Sequence, residues 1–228
     1  MNDEFCGILL VDKEKGLTSH DVVAIVRRRF SIKKVGHAGT LDPNATGLLI
    51  LLLGKATKLS NSFLNEDKAY EAEMKLGQRT DSADSRGKII SEKEVTVTEE
   101  EIRTVMAGFL GVIEQIPPMV SAKKINGKKL YKLAREGKTV ERKPRKIIIK
   151  ELDVLKINTP FVEFRVKCSK GTYVRQLADD IGEQLNTGGH LTELRRTMSG
   201  DFSVRDAIAF NCLLQMKEET LRESIIRV

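Results

Sequence analysis

Cysteine is scarce in this chain. Cys6, Cys168 and Cys212 are an odd number at wide spacings among 228 residues. That excludes a disulfide framework and suits a reducing, cytoplasmic setting. Histidine offers no metal pattern either. His20, His37 and His190 are scattered, and no CxxC or HxxxH pair exists, so no metal is expected. The longest unbroken apolar run covers residues 48–53, far below the roughly 20 residues needed to span a bilayer. The N-terminus carries acids at its start and only a short apolar stretch after Gly7, which is not a secretory signal. There is no GxxxxGK[ST] loop and no GxGxxG after a strand, so nucleotide and dinucleotide cofactors are unsupported. The zinc deaminase signature is missing as well, and no nucleophilic serine elbow or Cys–His pairing stands out.

What is present is an ordinary globular composition, 40% hydrophobic and 31% charged, with an uneven net charge of +7. Residues 119–150 hold nine Lys and three Arg against Glu136 and Glu141, a net +10. The remaining 27 bases face 30 acids. A basic block of this kind, with Tyr131 inside it, is the electrostatic footprint of a polyanion binder. By charge alone a solvated surface arm is the lesser reading. Anionic membrane is a weaker reading, because no large apolar face accompanies the charges.

Periodicity predicts a strand at 5–12 and a helix beginning near Thr18 or Ser19. Asp21 sits in that helix's first turn, and Arg27, Arg28 and Arg29 lie at its end. A loop at 36–47 leads into a core strand at 48–53, a helix at 55–64 and an alternating strand at 69–76. A polar, turn-rich stretch covers 78–87. Thr98 and Glu101 have capping-box spacing and open a further helix. A short helix is expected at 128–136, strands at 147–157 and 161–168, and a helix at 172–185 capped by Thr172. A strand at 202–207 and a closing helix at 212–226 complete the pattern. Several adjacent strands have connections too short for a crossover helix. The expected class is therefore α+β, with a mixed, mainly antiparallel sheet flanked by helices. No repeat or linker divides the chain, so 1–228 reads as one domain with the basic segment 119–150 as an excursion.

Chemistry concentrates in Gly36-His37-Ala38-Gly39-Thr40-Leu41-Asp42-Pro43-Asn44-Ala45-Thr46-Gly47. Gly36–Gly39 also fits the short GXXG of KH-type RNA-binding loops, a weak match. Pro43 fixes its own φ and pushes Asp42 towards an extended conformation, so the loop is stiff at its carboxylate. Alone, Asp42 would be an ordinary turn acid.

The whole segment, however, resembles the catalytic motif of the TruB family of tRNA pseudouridine synthases. Further matches follow in the family's order. They are Lys68-Ala69-Tyr70, Leu76-Gly77-Gln78-Arg79-Thr80-Asp81, Pro117-Pro118, Ser121-Ala122, Gly127, Tyr131, Lys170-Gly171-Thr172-Tyr173-Val174-Arg175 and Leu194-Arg195-Arg196. The resemblance runs from about Gly7 to Ala207.

It implies isomerisation of the T-loop uridine at tRNA position 55, with no cofactor, since no atoms are gained. It implies Asp42 as nucleophile, at C1′ or at C6. Tyr70 would stack on the flipped base and help remove the C5 proton, and Arg175 would pair with Asp42 to keep it ionised and aimed. His37 would fill the space that the base vacates. Tyr173 and Leu194 would support the pocket, while Asp81 and Asp84 read as turn residues. Segment 119–150 corresponds to the family's thumb, so Lys123, Lys124, Lys128 and Lys129 would meet phosphates of the tRNA stem-loop. Family members commonly carry a C-terminal PUA domain. Only about 20 residues follow Ala207, too few for one, so the expectation is a chain that lacks it. A monomer without an obligate protein partner is expected. The rival readings are the guide-dependent relative that works within a protein–RNA particle, and a tRNA chaperone without chemistry.

Overall fold

The apolar run 48–53 is the middle of a strand with no wet side, Thr46–Leu53, in which all residues from Gly47 onward are buried. A computed structural model places this strand and the rest of the chain over residues 5–119 and 140–228, together with the backbone of 124–125 and 128–129. The chain divides into two compact units, Met1–Glu71 with Leu194–Val228, and Ala72–Glu193.

The first unit begins with β1 (Gly7–Lys13), α1 (Ser19–Arg29), β2 (Val35–Ala38) and β3 (Thr46–Leu53). A 3-10 turn, Gly54–Leu59, and a short α2 (Ser60–Leu64) replace the single helix expected at 55–64. α1 starts where its capping box dictates. Thr18 Oγ1 accepts from the Asp21 amide at 3.0 Å and the Asp21 carboxylate accepts from the Thr18 amide at 2.8 Å. β4 (Lys68–Leu76) runs out of this unit into the second.

The second unit continues with β5 (Gln78–Thr80), β6 (Ile89–Glu92), α3 (Glu99–Ala107) and β7 (Gly111–Gln115). α3 carries the Thr98–Glu101 capping box that the sequence predicts. β8 (Lys124–Ile125) and β9 (Lys128–Lys129) pair antiparallel. Residues 128–129 are thus strand, not helix, and the remainder of the helix expected at 128–136 lies outside the described residues. β10 (Arg145–Asn158), β11 (Phe161–Cys168) and α4 (Val174–Gln184) follow. Thr172 does not cap α4. Its hydroxyl donates to the Ser169 carbonyl, and Tyr173 occupies the N-cap position.

β12 (Gly189–Ser199) returns the chain to the first unit, which closes with β13 (Phe202–Ser203), β14 (Ile208–Ala209), α5 (Phe210–Gln215) and α6 (Glu218–Glu223). Of the strand expected at 202–207 only Phe202–Ser203 is strand, Val204–Asp206 form a 3-10 turn and β14 lies beyond it, and the closing helix is two short ones.

In the first unit the strand order is β14-β1-β3-β12, with β2 also on β3. β1 and β3 pair antiparallel, Leu10 against Ile50. β12 joins β3 in parallel, with Arg196 opposite Gly47. Alternation divides the apolar residues between two faces. Leu9, Val11, Leu49, Leu51 and Leu53 meet Val22 and Val26 of α1 and Phe30 just beyond its end on one side. Ile8, Leu10, Leu48, Ile50 and Leu52 gather Ala38 and Ala56 on the other. In the second unit the order is β4-β11-β10-β7, and the β10–β11 and β10–β7 pairs are antiparallel. The fold is the mixed, mainly antiparallel α+β class that the short connections imply.

Candidate active site

The Asp42 loop is pinned from both flanks. On one side, Ser19 at the start of α1 is buried, and its Oγ exchanges hydrogen bonds with the Leu41 backbone. It accepts from the Leu41 amide at 2.9 Å and donates to the Leu41 carbonyl at 3.3 Å. On the other, the Pro43 carbonyl accepts from the Gly16 amide at 2.8 Å and, at 3.4 Å, from Lys13 Nζ. Within the loop the Ala45 amide closes back on the Asp42 carbonyl. Leu41 and Ala45 are themselves core residues. The carboxylate therefore projects from a turn whose neighbours on either side are fixed.

Lys13, wholly buried, also donates to the Glu14 and Leu17 carbonyls at 2.8 and 2.9 Å. Burial pulls its ammonium down to about 8, while Asp42 pushes it back up and Arg196 pulls it down. The Asp42 carboxylate thus works in the field of a buried cation. Tyr70, on β4, and Leu194, on β12, are half-buried and pack against the same apolar cluster as Leu41 and Ala45. His37 lies on β2 with its ring edge-on to His20, 5.2 Å between centroids. Asp42, Tyr70, His37 and Leu194 thus all belong to the first unit.

Two residues in this unit were given no role by the sequence reading. Lys13 ends β1 and holds the loop. Arg196, at 1% exposure, donates from Nε to the Leu48 carbonyl at 2.7 Å and from Nη2 to the Gly39 carbonyl at 3.1 Å. The motif Leu194-Arg195-Arg196 contained the signal, but a pair of arginines reads as solvent-facing until the strand register is known.

Tyr173 and Arg175 belong to the second unit. Arg175 is buried rather than at the surface, as it would be if read alone. Its Nη1 donates to the Ser82 carbonyl at 3.3 Å, and its guanidinium lies 5.7 Å from the Tyr173 ring centroid. Gln115 clamps Tyr173, donating to its carbonyl at 3.1 Å and accepting from its amide at 2.9 Å. The Ser82 turn is closed by Asp84, whose Oδ1 accepts from Ser82 Oγ at 2.7 Å and from the Arg86 amide at 3.0 Å. Asp81 accepts from the Lys88 amide. Both aspartates do the turn work expected of them. Arg79 forks onto Asp179 of α4 at 2.7 and 2.9 Å, which gives that motif arginine a structural use. Lys124, Lys128 and Lys129 are described as strand backbone, and Lys123 lies outside the described residues. All three cysteines are free, and no helix among the described residues is long and apolar enough to cross a membrane.

Residues 27–174 match the model of the TruB family pseudouridylate synthase N-terminal domain. Residues 175–228 match that of the tRNA pseudouridylate synthase B C-terminal domain. A protein of Opitutus terrae named tRNA pseudouridine synthase B is 47% identical over 226 residues, spanning 99% of this chain and 94% of its own length. One of the same name from Clostridium tetani is 48% identical over 96% of this chain and 75% of its own. Among solved structures, one titled as a Cbf5-Nop10-Gar1 complex aligns at 33% identity and TM-score 0.77. The alignment takes in 97% of this chain, which spans 60% of that one. Another, an H/ACA RNP bound to a substrate RNA containing 2′-deoxyuridine, aligns at 29% identity and TM-score 0.74 and is spanned to 65%. The chain belongs to the TruB family of pseudouridine synthases.

Proposed function

We propose that the protein isomerises a uridine of tRNA to pseudouridine, acting on the T-loop uridine at position 55. The observation that carries the reading is the Asp42 loop. A carboxylate is held between Ser19 and Lys13 anchors, and Tyr70 and Leu194 pack on the same apolar cluster. The reaction breaks the N-glycosidic bond, turns the base and joins C5 to C1′. Nothing is gained or lost, so side chains suffice. The target base leaves the loop stack at a cost of a few kcal/mol. The Tyr70 ring receives it and Leu194 supplies an apolar wall. Asp42 acts as nucleophile. His37, neutral at working pH, fills the vacated space as a flat ring. Tyr173 and Arg175 keep the roles that the family resemblance gives them.

RNA affinity comes from phosphate contacts. The bases of 119–150 supply one set. Exposed Arg27, Arg28, Lys33 and Lys34 of the first unit supply a second, flanking β2. We read the enzyme as a cytoplasmic monomer that needs no protein partner.

The test is unmodified tRNA transcript incubated with the protein alone, with pseudouridine mapped by site. Product at the T-loop uridine that disappears in Asp42→Asn is the expected result. No product, or an Asp42→Asn variant as active as the wild type, overturns the reading. The likeness to Cbf5-containing assemblies favours one second reading, a guide-dependent enzyme. Product that appears only with an added guide RNA would select it.

A further inference from the structure

We propose that Gln115 is a positioning residue for the reaction: its side chain fixes the main chain of Tyr173, and through it the place of Arg175, to the strand from which the basic segment departs. The proposal rests on the synthase reading above, which gives Tyr173 and Arg175 their part in the site.

Three observations carry it, all within the second unit. First, Gln115 ends β7 at 2% exposure, and both ends of its amide are spent on one residue. Nε2 donates to the Tyr173 carbonyl at 3.1 Å, and Oε1 accepts from the Tyr173 amide at 2.9 Å. A strand residue exchanges the same two bonds with its opposite number in an antiparallel ladder. Tyr173 lies outside any strand, so the side chain extends the grip of the sheet to it. Second, the start of α4 has no cap of its own. The Tyr173 side chain makes no cap hydrogen bond, and the Thr172 hydroxyl is turned to the Ser169 carbonyl. Third, Arg175 stands in the first turn of that helix and is buried at 3% exposure. Its Nη1 donates to the Ser82 carbonyl at 3.3 Å, and its guanidinium lies 5.7 Å from the Tyr173 ring centroid.

A buried glutamine gives up rotamer freedom, and its amide is costly to bury unless both ends are bonded. An apolar side chain would fill the end of β7 without that cost, as Ile147 and Ile149 fill β10. What the amide adds is the hold on Tyr173. The first amides of a helix have no internal partners, so an untied N-cap lets the first turn shift. Arg175, two residues on, would carry that shift to its guanidinium. Catalysis tolerates little of it, since a misplacement of about 1 Å can cost 100-fold in rate. The same strand end also roots the basic segment. Arg145 lies opposite Gln115 and Lys146 opposite Glu114 in the ladder, and Arg142 Nη1 donates to the Pro117 carbonyl at 3.0 Å. The stretch that meets phosphates in the synthase reading and the helix start that carries Arg175 therefore share one anchor.

The experiment uses the full chain with Gln115→Leu, which fills similar space without either bond, and Gln115→Glu, which keeps the acceptor and loses the donor. Tm, affinity for unmodified tRNA transcript and the single-turnover rate at saturating transcript are measured for each. In Gln115→Leu the rate should fall between about 10- and 100-fold, with tRNA affinity within about twofold of the wild type. In Gln115→Glu it should fall at least about fivefold. A residue that merely supports the fold would lower Tm and leave the rate of the folded protein at saturation unchanged. A double-mutant cycle with Arg175→Lys tests the route. In that background Gln115→Leu should cost no more than about a further twofold, because the position it guards is already lost. A folded Gln115→Leu variant with the wild-type rate overturns the proposal. So do rate losses that multiply in the double variant. If Gln115→Leu fails to fold, Gln115→Glu decides, and a wild-type rate overturns it. A wild-type protein that makes no pseudouridine removes the synthase reading and the proposal with it, whereas an active wild type with an indifferent Gln115 removes the proposal alone.

Discussion

His37 shows how a single side chain sets a pH dependence. Burial lowers its pKa from 6.5 to about 4, helped by His20 and by the Arg196 charge, and its Nδ1 has no partner among the described residues. In the unfolded chain the ring protonates near 6.5, whereas the folded protein holds it neutral down to about 4. Between those values the unfolded state binds more protons, so this contribution to stability is complete above 6.5 and is lost as pH falls towards 4. Thermal melts of wild type and His37→Phe should therefore diverge. The wild type loses stability relative to the variant as pH drops from 7 to 4.5. A constant difference in Tm across that range would mean that the ring titrates normally in the folded state. At this scale the family resemblance marks Asp42 and His37 through one motif and Tyr70 through another. It gave no role to Lys13 and Arg196, because a basic side chain is read as wet until a neighbouring strand is known to cover it.

At the scale of elements, legibility followed apolar pattern and caps. α1 and α3 announce themselves by Thr18-x-x-Asp21 and Thr98-x-x-Glu101 ahead of apolar stripes. β3 does so by an unbroken apolar run. β12 does not, although it is eleven residues long. Its buried positions include His190, Arg196 and Ser199, where a strand pattern calls for apolar residues. The strand that carries the buried Arg196 is thus among those that periodicity does not find. Its contact with β3 gives a prediction about backbone. Gly16 and Gly47 both have positive φ, +93° and +98°, so alanine at either costs about 1–2 kcal/mol of conformational strain. A Cβ at Gly16 meets nothing within 4 Å, whereas one at Gly47 runs into the Arg196 backbone. Denaturant midpoints should show Gly16→Ala mildly destabilised. Gly47→Ala should lose a further ~2 kcal/mol or more, since β3 and β12 must part. Equal losses would mean that the strands move aside freely.

Charge is the property of the whole molecule that function uses, and it is less simply placed than one basic segment suggests. Besides the +10 of 119–150, residues 22–65 hold seven bases and a single acid, and that acid is Asp42. The bases of this stretch are exposed on α1, ahead of β2 and on the 3-10 turn, while the Asp42 loop is pinned to the start of α1 by Ser19. Polyphosphate is drawn to such a surface by counterion release, and each phosphate contact contributes roughly 0.7–0.9 to the slope of log affinity against log salt. Two variants separate the clusters. Lys123, Lys124, Lys128 and Lys129 all changed to Gln remove bases from one. Arg27, Arg28, Lys33 and Lys34 all changed to Gln remove bases from the other. Each should weaken tRNA binding at 0.1 M salt and flatten the salt slope by up to about 3. The single-turnover rate at saturating tRNA should stay near wild type, because phosphate contacts supply affinity and not chemistry. A variant whose slope and affinity match the wild type would show its cluster to be a solvated face. A variant that loses rate at saturation while keeping affinity would show that its cluster acts on the chemistry rather than on the phosphates.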